Sequence, residues 1–239
     1  MTSRMCLALD CLSAAQAYRL TRTLGPQCYA VKIRGLLYSQ GGRIIGGLSN
    51  AGRTKVFVDV KIHDIPEAAA ENAMEIACHG AHIISVHAGG GIPMMKAVVN
   101  RLNKSFGPAA VSVWAVTLLT SLGPTEIERD FGKYGKNPTA KQIVLNRALM
   151  AKEAGVQGVV SSPQEVRMLS KHPGLKGLDF ITPGVRSVGA NVGDQKRIGT
   201  PKQALDDGAS LIVVGSQVTE AEDPIEAFNA IVEEIAEIS

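Results

Sequence analysis

The chain has 239 residues, with 25 lysines and arginines against 22 aspartates and glutamates, a formal charge of +3. That excess is too small to point to nucleic acid or an acidic membrane surface. The 4% aromatic content offers no basic-aromatic patch for stacking single strands. Four cysteines, Cys6, Cys11, Cys28 and Cys78, lack Cys-x-x-Cys spacing and read as free thiols. Met1 to Arg4 leads into a strand within a few residues, which leaves no room for a signal peptide. The longest apolar stretch, 109–119, falls far short of the ~20 residues that span a bilayer. The expectation is a soluble cytoplasmic protein without a membrane or nucleic-acid partner.

In chain order, short apolar runs predict strands over 5–10, 28–33, 55–62, 82–87, 111–117, 158–161, 179–182 and 211–215. Helical patterns fall between and after them, over 13–24, 37–51, 67–78, 92–102, 139–154, 164–169, 201–207 and 224–238. Ser13 and Thr200 are placed to cap helices, and Pro66, Pro163 and Pro201 suit first-turn positions. Gly25, Gly80, Gly155 and Gly208 mark stops. The segment 37–51 carries Gly41, Gly42, Gly46 and Gly47, which disfavour helix. Strict β/α alternation implies parallel strands with right-handed crossovers. Eight repeats in a chain near the ~250 residues of such folds predict a single-domain TIM (β/α)8 barrel over 1–239.

The third strand runs into Asp59-Val60-Lys61-Ile62-His63-Asp64-Ile65-Pro66. With period-two alternation, Val56, Val58, Val60 and Ile62 share one face, and Phe57, Asp59 and Lys61 share the other. On an antiparallel sheet an Asp-x-Lys pair reads as a solvated face. In a barrel the Val/Ile face meets the helices, so Asp59 and Lys61 point inward near the C-terminal mouth, where barrel enzymes do chemistry. Asp10, Lys32 and His87 end other strands at the same mouth, and Thr120-Ser121 lie just after strand five. Lys32 with Asp59, Lys61 and Asp64 makes two cations and two anions, each holding its neighbours ionised. The segment 182–197 is long, glycine-bearing and cationic, suited to a lid, and with Gly215-Ser216-Gln217 it occupies the usual barrel phosphate site.

Other features carry less. His79, His82 and His87 straddle a helix-to-strand transition without a carboxylate partner, so no metal site is expected. Gly89-Gly90-Gly91 lacks the residues of a P-loop. No cysteine has an obvious base partner.

These residues resemble orotidine 5′-phosphate decarboxylase over essentially the whole chain. The resemblance is carried by Leu7-Ala8-Leu9-Asp10, Val31-Lys32, the signature from Asp59 to Pro66, Val86-His87-Ala88 and the run from Ala115 to Ser121. Further on it is carried by Thr182-Pro183-Gly184-Val185-Arg186, Gly193-Asp194-Gln195-Lys196-Arg197 and Val213-Val214-Gly215. It implies decarboxylation of orotidine 5′-monophosphate to uridine 5′-monophosphate, the last step of pyrimidine synthesis, with no cofactor and no metal. It also implies a homodimer in which Asp64 completes the partner's site. By match, Lys61, Asp59, Lys32 and Asp64 form the catalytic tetrad. Asp10 and Lys32 serve the ribose, Thr120 the pyrimidine, and Gln195 both base and phosphate. Arg186, Gly215 and Ser216 lie at the phosphate end.

Three positions depart from the family pattern. Gly-Arg after the eighth strand is Gly215-Ser216, a threonine after the signature proline is Ala68, and Lys-Gly after the second strand is Lys32-Ile33-Arg34. Arg34, Arg186 and Arg197 are the cations that could replace the missing arginine. Two alternative functions remain: a Mg²⁺-dependent sugar-phosphate decarboxylase or synthase of the same barrel type, and a non-catalytic nucleotide-binding barrel. Lys32, where the Mg²⁺ enzymes carry an acid, argues against the first, and the complete tetrad against the second.

Overall fold

The computed structural model describes residues 4–132, 138–187 and 197–236. Its strands are β1 (Met5–Ala8), β2 (Ala30–Ile33), β3 (Lys55–Ile62), β4 (Ile83–His87), β5 (Ser112–Val116), β6 (Gly158–Val160), β7 (Asp179–Thr182) and β8 (Leu211–Val214). They pair in parallel and in sequence order, and β1 closes the barrel against β8. The expected (β/α)8 architecture is therefore present. No helix among the described residues is long and apolar enough to cross a membrane.

The helices follow from their end signals. Ser13 accepts the Gln16 N–H at 3.3 Å and starts α1 (Ala14–Leu24). Pro66 opens α4 (Pro66–Cys78), Thr139 caps α7 (Ala140–Ala154), and Pro163 opens α8 (Pro163–Ser170). Thr200 accepts the Gln203 N–H at 3.1 Å ahead of α9 (Pro201–Asp206). The helix expected over 37–51 is instead two, α2 (Gly35–Gln40) and α3 (Arg43–Gly52). Gly41, at φ 70°, breaks the run. Gly42 sits so close to the His79 ring that a Cβ there would fall 2.1 Å from it. After β4, α5 (Gly91–Phe106) runs longer than its expected 92–102. Two short helices were not expected: α6 (Pro124–Phe131) and α10 (Ser216–Thr219). The chain's last described helix is α11 (Pro224–Ala236).

The core has two parts, divided by the strands. Outside the barrel wall, Val31, Val56, Val58, Ile62, Ile84 and Val86 pack with the helices. Inside, Cys6, Ala8, Ala30, Phe57, Ile83, Trp114, Ile181, Leu211 and Val213 fill the lumen. Phe57 meets Trp114 edge-on with centroids 4.8 Å apart, and Trp114 is 1% exposed. This apolar floor closes the N-terminal end and leaves the next inward layer, at the C-terminal mouth, for polar groups.

Candidate active site

One layer above that floor, β1, β2, β3 and β4 bring Asp10, Lys32, Asp59, Lys61 and Ser85 together. Asp59 Oδ2 lies 2.7 Å from Lys61 Nζ and 3.3 Å from Lys32 Nζ. Lys32 Nζ also bonds Asp10 Oδ2 at 2.5 Å. Asp59 and Lys32 are 8% and 7% exposed, so these charges are ionised in a largely dry setting. Burial alone would raise the Asp59 pKa, but Lys32 and Lys61, helped by hydrogen bonds from Lys61 and Ser85, hold it below the usual carboxylate range. Burial alone would lower Lys32, and the Asp59 and Asp10 carboxylates reverse that, leaving its ammonium above ordinary lysine. The second oxygen of Asp10, Oδ1, is buried and finds no partner among the described residues.

The local backbone is irregular where the charges sit. From Val58 to Ile62, β3 advances four residues while β4 advances two, from Ile84 to Val86. Lys61 takes a left-handed φ of 51° within this bulge. Its N–H, deprived of a regular ladder partner, donates to Ser85 Oγ at 2.8 Å. Ser85 Oγ in turn donates to Asp59 Oδ1 at 2.9 Å. Ser85 escaped the sequence reading because nothing in its own strand marks it; only the bulge opposite gives its hydroxyl a task.

Asp64 does not join this cluster within the chain. It is exposed, its Oδ1 accepts the Ile65 N–H at 2.8 Å, and it makes no ion pair among the described residues. It borders a groove with Leu37, Tyr38, Val60, Ile62, Asn72 and Ile76. Tyr38, in the groove wall, and Ile65, next to Asp64 in sequence, are 75% and 67% exposed. Within one chain Asp10, rather than Asp64, is the second carboxylate of the network.

Across the mouth, Arg186 Nη2 donates to Ser216 Oγ at 3.2 Å and Nη1 to the Val185 carbonyl at 2.7 Å. The neighbouring Ser187 Oγ accepts from Gln217 Nε2 at 2.7 Å and donates to Glu234 at 2.6 Å. Two successive residues after β7 are thus tied to the start of α10. Gly215, between β8 and α10, packs beside Ala8 of β1, and Thr120 is half-buried after β5. Gln195 lies outside the described residues. Of the other candidate cations, Arg34 is exposed beside α2. Arg197 is 5% exposed and spoken for: it pairs with buried Glu165 at 2.8 Å and donates to the Leu118 and Leu119 carbonyls. Glu165 also bonds Ser162, so Arg197 joins α8 to the loop ahead of Thr120.

The sequence matches the family described as Orotidine 5'-phosphate decarboxylase / HUMPS over residues 3–231. The chain belongs to that family. A Syntrophomonas wolfei protein named Orotidine 5'-phosphate decarboxylase is 39% identical, over 98% of this chain and 98% of its own length. One of the same name from Pseudoalteromonas translucida is 37% identical, over 94% and 93%. The solved structure of Orotidine 5'-phosphate decarboxylase from Lactobacillus acidophilus superposes with a TM-score of 0.80 at 32% identity, covering 98% of this chain and 99% of that one.

In this orotidine 5′-phosphate decarboxylase / HUMPS barrel, the histidine at the mouth serves structure. His87 Nδ1 accepts the Gly89 N–H at 3.1 Å, and its ring stacks on His63 with centroids 5.2 Å apart. Burial first, then Arg147, His63 and Lys61, push its pKa down to about 4. The folded protein therefore keeps His87 neutral while the unfolded chain takes a proton below about 6.5. Because the folded pKa is the lower one, stability falls as pH drops from there to about 4. Urea unfolding across that window should show a steeper loss for wild type than for His87→Gln. Parallel slopes would contradict this assignment.

Proposed function

We propose that the protein decarboxylates orotidine 5′-monophosphate to uridine 5′-monophosphate without a cofactor, in the cytoplasm, as the last step of de novo pyrimidine nucleotide synthesis. Residues 1–239 form one barrel domain for this task. The observation that carries the reading is the buried Asp59 carboxylate pinned between the ammonium groups of Lys32 and Lys61. It occurs in a chain whose relatives bear that activity in their names.

Decarboxylation breaks the bond from C6 to the carboxylate and leaves an electron pair on C6 with little resonance help. A fixed ammonium at that carbon supplies both the opposing charge and the proton. Lys61, anchored at 2.7 Å to Asp59, is placed for this and regains its proton from solvent. Asp59 faces the substrate carboxylate and favours its departure as CO₂. Lys32 holds Asp59 and Asp10 in place and reaches the ribose. The unpartnered Oδ1 of Asp10 suits a ribose hydroxyl. Thr120 and Gln195 serve the base. A Mg²⁺-dependent sugar-phosphate reaction fits less well, because Lys32 already engages both Asp10 and Asp59, at 2.5 and 3.3 Å.

Asp64 completes the site of a second copy. Its exposure, and the exposed Tyr38 and Ile65 beside it, are what a homodimer across this groove would cover. At the phosphate end Arg186 takes the place of the missing arginine, with Ser216 as its acceptor and the Gly215 backbone alongside. Arg197 is already bound to Glu165.

Purified protein with EDTA should consume orotidine monophosphate absorbance rapidly, and Lys61→Ala should not. Loss that needs added Mg²⁺ would favour the sugar-phosphate enzymes, and nucleotide binding without turnover a non-catalytic barrel. Mixing inactive Lys61→Ala with inactive Asp64→Asn should restore activity, because one site of each mixed dimer is then intact. A mixture as inactive as its components would rule out the shared site. Arg186→Ala should raise KM by roughly 30-fold or more, as expected when a buried charge loses its partner. Arg34→Ala should leave KM unchanged, and an unchanged KM in Arg186→Ala would end the compensation idea.

A further inference from the structure

We propose that Ser85 is a positioning residue for this reaction, its single hydroxyl setting both the Lys61 backbone and the Asp59 carboxylate in their working geometry. The inference rests on the decarboxylase reading and adds a residue to it. Ser85 is 0% exposed, on the inward face of β4 between Ile83 and His87. A hydroxyl buried there is costly unless bonded. It is bonded twice, and both partners belong to the charged cluster: it accepts from Lys61 N–H at 2.8 Å and donates to Asp59 Oδ1 at 2.9 Å. An ionised carboxylate can only accept, so the single Ser85 hydrogen goes to Asp59 while its lone pair takes the Lys61 N–H.

The bulge explains why this hydroxyl matters more than an ordinary buried one. With four residues of β3 opposite two of β4, the ladder between the strands is interrupted at Lys61. Lys61 sits at φ 51°, a conformation an L-residue with a side chain holds only when its surroundings demand it. Ser85 Oγ supplies the missing ladder acceptor, which fixes the turn that carries Lys61 Nζ to Asp59 Oδ2. The other carboxylate oxygen of Asp59 is held by the same hydroxyl. Without it, Lys61 N–H and Asp59 Oδ1 lose their partner together, and both the ammonium and the carboxylate are free to shift.

A misplacement of about 1 Å can cost on the order of 100-fold in rate. Ser85→Ala should therefore lower kcat by roughly that factor while KM changes little, since the ribose and phosphate contacts are untouched. Ser85→Thr, which keeps the hydroxyl, should recover most of the rate. Ser85→Cys, which keeps the size without a strong donor, replaces the Ala variant if that one fails to fold by circular dichroism. A folded Ala or Cys variant with wild-type kcat would overturn the proposal. So would a rise in KM alone, or a loss that Thr does not repair. Inactive, folded wild type would signal failure of the decarboxylase reading itself, and this inference would fall with it.

Discussion

A carboxylate shared by two ammonium groups inside a barrel stays ionised only while its partners stay with it. Taking any one ion out of water costs several kcal/mol, about what its neighbours return, and stranding one costs about 3–5 kcal/mol. Asp59, Lys32, Lys61 and Asp10 solve this by mutual compensation: each opposes the burial of the next, and the set is neutral overall. The rest of the fold can be read as what that cluster requires. The apolar floor of Phe57, Trp114, Ile83 and Leu211 shuts water out from below. The Val/Ile face of β3, buried against the helices, keeps the strand from turning its charges outward.

Regular β structure would not by itself bring Lys61 back onto Asp59. Side chains two apart on a strand point the same way but stand well apart along it. The extra residues of β3 and the left-handed Lys61 shorten that span, at a conformational cost of about 1–3 kcal/mol. Strain of that size is retained where surrounding bonds over-determine it, and here they do. Lys61 is held at its N–H by Ser85 and at its ammonium by Asp59. Backbone strain and buried charge are therefore features of the same few residues.

What the sequence shows of this arrangement is set by distance along the chain. Strand alternation places Asp59 and Lys61 on one face, and Ser13, Thr200 and the helix-opening prolines announce their helices, because these signals act within a few residues. Lys32 and Asp10 are legible as strand-end residues once eight repeats imply a closed barrel. The bulge is not, because register belongs to a pair of strands and β3 alone carries no mark of it. Ser85 is hidden for the same reason. Arg197 reads as a candidate replacement for the missing arginine until Glu165, from a different element, is seen beside it at 2.8 Å. The split at Gly41 was foreshadowed by the glycines of that segment.

The two ends of the site also differ in how much change they can absorb. The charged end is built on four adjacent strands, where Asp59 and Lys32 hold each other ionised against burial and Lys61 and Asp10 complete the ion pairs, so no member can be exchanged without disturbing the rest. The opposite end is built from the segment after β7 and the start of α10, through Arg186 to Ser216 and Ser187 to Gln217 and Glu234. There the Ser216 hydroxyl gives the Arg186 guanidinium an acceptor and so a direction. Binding energy gained far from the reacting carbon helps chemistry only through how firmly it seats the substrate against the rigid end. On the proposed reading, a softer grip on the phosphate alters how often the substrate is seated, while the cluster around Asp59 decides what happens once it is.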